Sequence, residues 1–398
     1  MDGRSWRHPP PVPPTHARPG HRQLHHRTRG ARAPVNAAFL TLMAASLVSA
    51  RWDGSHRWVA AAAALLAAVH VVRWMRGAAL RWSWWIAAPA LWPCWAAAQI
   101  AFGVTLDPAA TRAAAVDWAG AAIVFLLALQ LRRDPGPWIA ALAVVFAAAS
   151  ITVYRLSHGP DPPFGPFWNR NHYAAWVELV LPVVLSRLVT TGRSAYGVAS
   201  LGLVVSVLLT RSRLGTALVA AEIAVVLSLS LRRRALALGA AAVIAAVGLA
   251  VGWSRFAQLG SYQAYEARLE AWRASAGMIA ARPLSGWGLG AWQDAYPRFA
   301  PDDIGFTVLH ADNDWLEWAA ETGLPLPLLT LLPLLLAGLR GLPSRPALIG
   351  LAAVAIHALG EFPLHKPALL DWWMALLAMA TGSPFETDAG APAPPRRD

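Results

Sequence analysis

The chain has 398 residues; 56% are hydrophobic, only 14% are charged, and the mean hydropathy is +0.41. That much apolar surface, with so few charges to cover it, excludes a water-soluble enzyme, a disordered protein and a secreted disulfide scaffold, and leaves a multi-span membrane protein. The net charge is +12, and the one cysteine, Cys94, excludes internal disulfides and thiolate metal clusters.

Residues 1–34 hold seven Arg, one Asp and five His among many prolines, and so carry half of the net charge. Such a stretch lacks core-forming residues. It is predicted to be a disordered, basic cytoplasmic tail that meets anionic membrane lipid, with no nucleic acid as partner. Apolar runs long enough to cross ~30 Å of hydrocarbon follow at 36–50, 58–74, 82–104, 113–131, 138–154, 172–190, 196–210, 214–231, 235–252, 324–340, 347–360 and 368–381. The expected fold is all-α: a polytopic membrane helix bundle of about twelve spans, with a large periplasmic loop containing amphipathic helices. Trp58, Trp82, Trp84, Trp85 and Trp138 fall near span ends, as interfacial aromatics do. Val48-Ser49-Ala50 resembles a signal-peptidase site, but the spans that follow favour a retained anchor.

Orientation follows from arginine. With the N-terminus inside, the inside connections hold Arg73, Arg76, Arg81, Arg132, Arg133, Arg187, Arg193, Arg232, Arg233, Arg234, Arg340 and Arg345, as the positive-inside rule requires. The expected organisation is a tail over 1–34, a bundle over 35–252, a large outer loop over 253–321, further spans over 322–381 and a cytoplasmic tail over 382–398. The chemically unusual residues then share the outer face. They lie in loop 155–171, in the turn Arg211-Ser212-Arg213, in segment 253–321, and in Glu361-Phe362-Pro363-Leu364-His365-Lys366, which holds the only lysine.

Nine of the 22 acidic residues lie between 253 and 321. Residues 262–281 read as an amphipathic helix with Tyr265, Leu269, Trp272, Ala276 and Ile279 in one stripe, Arg273 opposite and Arg268 on the flank. This helix is expected to lie on the outer membrane surface. Gly286-Trp287-Gly288-Leu289-Gly290 has the letters of a phosphate cradle, but no strand precedes it, so a tight packed turn is expected. In His310-Ala311-Asp312-Asn313-Asp314-Trp315-Leu316-Glu317, Asp314 with Glu317 resembles a capping box, which accounts for neither His310 nor Asn313. Glu178 and Glu222 fall within spans and are expected to face the bundle.

In combination these stretches resemble the O-antigen ligase/polymerase family of bacterial inner-membrane glycosyltransferases. The resemblance runs over about half the chain, roughly 165 to 381. Phe167-Trp168-Asn169-Arg170-Asn171-His172-Tyr173-Ala174 is similar to the family's G-x-F-x-N-x-N-x-x-A stretch. Thr210-Arg211-Ser212-Arg213-Leu214-Gly215 is similar to its S-R-S/G-G helix start. Arg268, Trp272 and Pro283-Leu284-Ser285-Gly286-Trp287-Gly288 resemble its R-x-x-x-W…P-L-x-G-x-G element. The stretch from His310 to Leu316, with Ala320-Glu321-Thr322-Gly323, resembles its H-A-[HE]-N-D-Y-L…A-E-x-G element, and Glu361 to His365 a late [DE]-F-P-L-[HQ] loop. The chain departs from the family at Asp312, where many ligases carry a second histidine, and at Leu326, where a second glycine is common.

The resemblance implies transfer of a glycan from an undecaprenyl-diphosphate donor to a hydroxyl on another glycan or on lipid A-core. The reaction would take place at the periplasmic face, with no cofactor and no metal. The leaving diphosphate then needs guanidinium groups, for which Arg211, Arg213, Arg268 and Arg273 are candidates. The acceptor proton needs a base. The catalytic candidates are His310, tuned by Asp312, with Arg268; Glu317 or Glu321 are alternative bases. Asn169, Asn171, His172, Asn313, Glu317 and Glu361 complete the expected substrate-binding set. The competing reading is a solute or inorganic-carbon transporter. It would show internal repeats, and the two halves of this chain do not resemble each other.

Overall fold

The computed structural model describes residues 33–52, 54–158, 162–230, 239, 242–250, 262–300, 307–339 and 345–382. The N-terminal tail, Arg232, Arg233, Arg234 and most of the C-terminal tail lie outside the described residues.

The described chain is helical, and its one β feature is an isolated bridge between Phe164 and Phe167. In order, the helices are α1 (Ala33–Ser49), α2 (His56–Met75), α3 (Ala87–Ala101), α4 (Pro108–Leu129), α5 (Gly136–Leu156), α6 (Arg170–Thr191), α7 (Ser194–Thr210) and α8 (Arg213–Ser230). There follow a helical stretch at 242–250, then α9 (Tyr262–Ala281), α10 (Trp292–Ala295), α11 (Asp314–Thr322), α12 (Pro325–Leu339), α13 (Ala347–His357) and α14 (Pro367–Thr381). Among the described residues every predicted span meets helix, but twelve full-length helices are not found there. Five helices, α2, α4, α5, α6 and α8, are long and apolar enough to cross a membrane, and five further apolar helices have 10–17 residues. At 1.5 Å per residue those shorter helices fall below the ~30 Å of a hydrocarbon core.

Local chemistry sets the helix starts that matter for the site. Asp107 Oδ1 accepts from the amides of Ala109 (2.7 Å) and Ala110 (3.1 Å), and Pro108 follows as the first helical residue of α4. Asn169 caps α6 by accepting from Asn171 N at 2.8 Å. Asn313 caps α11 by accepting from Leu316 N at 3.1 Å. The cap is therefore Asn313 and not Asp314, as the capping-box reading had it; Asp314 is buried and spends its oxygens elsewhere.

α14 packs along α4, while α6 packs against α7, α8 and α13. Tryptophan fills the centre. Trp92 and Trp118 stack with centroids 3.9 Å apart, and Trp318 of α11 meets Trp92 edge-on at 5.0 Å. Trp318 thus anchors the segment between α9 and α12 into the bundle, and a second small core of Ala271, Met278, Trp287, Trp292 and Tyr296 fills that segment itself. Trp58, Trp82, Trp84 and Trp138 are exposed, where an interfacial position would leave them.

The packed face of α9 differs from the predicted stripe. Ala276 is exposed, while Ala271, Ala274, Ser275 and Met278 are buried. The face is turned because α9 packs on α11 and on the small-residue contacts of Ala271 and Ala274, which admit close approach. Arg268 consequently lies on the inner face instead of the flank. The glycine run is a packed turn: Gly286, Gly288 and Gly290 have φ of 64°, 119° and 75°. A Cβ at Gly286 would strike the Glu321 backbone. Its amides are already spent, Trp287 N on Ala320 O (3.1 Å), Gly288 N on Glu321 O (2.9 Å) and Leu289 N on Gln99 Oε1 (3.0 Å), so it offers no phosphate cradle.

Candidate active site

The start of α6, the turn before α11 and the 361–366 turn between α13 and α14 converge at one end of the bundle. Glu361, buried, is the hub. Its Oε1 accepts from Arg268 Nη2 at 3.0 Å and Asn171 Nδ2 at 2.5 Å, and its Oε2 from Asn169 Nδ2 at 3.3 Å. Arg268 Nε also donates to Asp312 Oδ2 at 2.8 Å. Burial pushes the Glu361 carboxyl above its usual range, with Arg268 opposing. Burial likewise disfavours the Arg268 charge, but its bonds to Asp312 and Glu361 outweigh that and hold it more firmly protonated.

His310 does not meet Asp312. Asp312 has φ 51°, in the left-handed region that Asp tolerates better than most residues, and this turn sends its side chain to Arg268. The partner of His310 is Glu317: Nδ1 lies 2.8 Å from Oε1, while Oε2 accepts from Ala311 N at 2.7 Å. The ring stacks on Phe362 at 4.1 Å. With Nδ1 facing a carboxylate, the neutral ring keeps its lone pair on Nε2. Burial would raise the Glu317 carboxyl, but His365 and His310 with the Ala311 amide lower it below its usual value.

His365, absent from the expected site, sits among three carboxylates. Nδ1 bonds Asp314, and Nε2 lies 3.3 Å from Glu317 Oε1 and 3.9 Å from Glu321 Oε2. Burial alone would lower its pKa; Glu317, Asp314 and Glu321 together raise it well above the ordinary imidazole value, which favours the protonated ring. Asp314 also accepts from Leu364 N at 2.8 Å, which ties α11 to the 361–366 turn. Glu317, Glu321 and His365 each bring one ligand atom within 4.8 Å of the others, a spacing that a metal ion would accept.

The remaining expected residues divide. Asn169 and Asn171 join the cluster through Glu361. Asn313 donates to Leu359 O at 2.9 Å besides capping α11. His172 is buried, edge-on to Phe362 at 4.8 Å, with Nε2 unpartnered. Arg211, Arg213 and Arg273 are exposed. A cavity of about 470 Å³, lined by Asn169, His172, His310, His365, Lys366 and Asp117 among others, opens beside these groups.

Sequence reasoning named His365 in the 361–365 motif without placing it in the site, and missed Gln99. Gln99 is buried in α3, where its Nε2 donates to the Ser285 (2.7 Å) and Glu321 (2.8 Å) carbonyls and so clamps the glycine turn to α11. The one signal for it was an amide inside an apolar span, which must find partners.

No curated protein matches the chain. Residues 198–331 match the family described as O-antigen ligase, a span that runs from α7 through Arg268, His310 and Glu317 into α12. That match makes residues 198–331 similar to the O-antigen ligase family, in agreement with the resemblance of the chain's motifs.

Proposed function

We propose that the protein is a glycosyltransferase that moves a glycan from an undecaprenyl-diphosphate donor to a hydroxyl of an acceptor glycan or lipid A-core, at the periplasmic face of the inner membrane. The observation that carries this reading is the pairing of His310 with buried Glu317 on the wall of a cavity, beside the Arg268 cluster, inside the O-antigen ligase match. The acceptor oxygen attacks the anomeric carbon, the bond from that carbon to the phosphate oxygen breaks, and undecaprenyl diphosphate leaves. The hydroxyl proton passes to His310 Nε2, and Glu317 stabilises the imidazolium. Arg268 has Nε and one Nη engaged by carboxylates and the other Nη to offer to the diphosphate. Arg211, Arg213, Arg273 and the amides of Asn169 and Asn171 are further donors for the substrates. In this reading the charged His365 takes the place of a metal cation among Asp314, Glu317 and Glu321.

The test is transfer by the purified protein in lipid, from an undecaprenyl-diphosphate oligosaccharide to an acceptor glycan or lipid A-core. Product formation that depends on His310 is expected. Transport of a solute without any transfer would favour the carrier reading instead.

A further inference from the structure

A second chain of titratable groups ends on the same cavity and has no part in the mechanism above. Ser46 Oγ of α1 donates to Asp371 Oδ2 of α14 at 2.6 Å. The same oxygen lies 2.9 Å from His56 Nε2 of α2, and His56 Nδ1 lies 3.2 Å from Asp117 Oδ1 of α4. Asp371 is 1% exposed at its side chain, whereas Asp117 is 32% exposed and lines the cavity. The buried Ser46–Asp371–His56 part ties three helices, α1, α2 and α14, together without Asp117. Asp117 extends that part to the cavity wall, and one oxygen is committed to His56 while the other takes no hydrogen bond from a described residue.

The chemistry of the wall narrows the occupant. Lys366, His310 and His365 line the same cavity, so its wall is mixed in charge; at Asp117 itself a carboxylate repels a diphosphate, and a lipid tail gains nothing from a charge. Trp52 and Trp168, both exposed, line the same cavity, as does the amide of Asn169. Indole faces with a carboxylate and an amide suit a sugar ring, whose C–H face is apolar and whose edge is hydroxyl. A volume of about 470 Å³ is within the range of small-molecule sites.

We propose that Asp117, held by His56 and Asp371, is a specificity-determining residue that accepts hydrogen bonds from the hydroxyls of a sugar ring seated in this cavity against Trp52 and Trp168. The ring belongs either to the donor glycan or to the acceptor; the first case rests on the donor named above.

The full chain in lipid nanodiscs is titrated with three probes: undecaprenyl diphosphate, undecaprenyl-diphosphate N-acetylglucosamine, and free N,N′-diacetylchitobiose. In the wild type, either the sugar-bearing lipid binds about tenfold or more tighter than the bare one, or the free disaccharide binds. The first outcome assigns the ring to the donor, the second to the acceptor. Asp117→Ala should remove that gain and leave the affinity for bare undecaprenyl diphosphate unchanged. Asp117→Asn, whose amide oxygen still accepts, should keep most of it. Trp52→Ala, a change at an exposed side chain, should weaken the same gain and serves if Asp117→Ala does not fold. A full gain in Asp117→Ala, or in Trp52→Ala where Asp117→Ala does not fold, overturns the proposal. So does a loss in Asp117→Asn as complete as in Asp117→Ala, or a wild type with no gain in either arm. A wild type that binds the free sugar but not undecaprenyl diphosphate sinks the donor reading and leaves Asp117 tested by the disaccharide.

Discussion

His310 Nδ1 lies 2.8 Å from Glu317 Oε1, and the other oxygen of that buried carboxylate holds the Ala311 amide at 2.7 Å. One side chain thus fixes both the ring of His310 and the backbone that carries it, as the proposed role of general base requires.

His310→Ala should express, insert and bind donor, but lose transfer by about 10²–10⁴-fold. Glu317→Gln should fall less, because the amide still holds the ring but no longer balances an imidazolium. Single-turnover rates on matched protein amounts check this. Normal transfer in His310→Ala together with a dead Asp312→Asn would move the base to Asp312.

Arg268 is predicted to contact the diphosphate and to hold Asp312 and Glu361 in place. Arg268→Lys keeps the charge without the planar fork and should be impaired, and Arg268→Ala more so. The loss of hydrogen bonds to charged partners should also cost about 1–3 kcal/mol, toward the low end because Arg268 is partly exposed. Donor affinity and melting temperature separate the two effects. Unchanged transfer in Arg268→Ala would remove it from the mechanism.

Transfer by the purified protein should survive EDTA, since the His365 ring already lies among the carboxylates where a cation would sit. Activity lost to EDTA and restored by Mg²⁺ or Mn²⁺ would point to Glu317, Glu321 and His365 as ligands.

Stability should depend on pH through the same group. The folded pKa of His365 is raised, so its contribution is complete below the unfolded value of about 6.5 and is lost as pH rises through the folded value. Glu317, whose pKa is lowered, contributes above its unfolded value of about 4.3 and loses that as pH falls through the folded one. Melting temperature should therefore decline on the alkaline side, and His365→Gln should flatten that decline while lowering the whole curve. An alkaline limb identical in wild type and His365→Gln would contradict the charge assignment.

Sidedness governs where the donor must arrive. Reporter fusions after residues 134 and 233 should read cytoplasmic, and one near residue 300 periplasmic. A cytoplasmic signal at 300 would put the His310 cavity on the wrong face for the proposed donor.

The sequence by itself determined the class, because 56% hydrophobic residues in apolar runs have no soluble solution. It also carried the motifs that mark residues 198–331, while the spans read from 113 and 172 start earlier in the structure, where Asp107 and Asn169 cap them. Tertiary structure alone decided who meets whom. Glu361 reaches Asn169 across 192 residues and Arg268 across 93, and no local rule encodes such pairs. The positive φ of Asp312 turned its carboxylate from His310 to Arg268, and packing on α11 rotated α9 so that Arg268 faces inward. The sequence marked His365 only as the end of the 361–365 loop motif; the fold surrounded it with Asp314, Glu317 and Glu321. Its charge is a property of that enclosure, where burial and three carboxylates act on one ring, and not of its place in the chain.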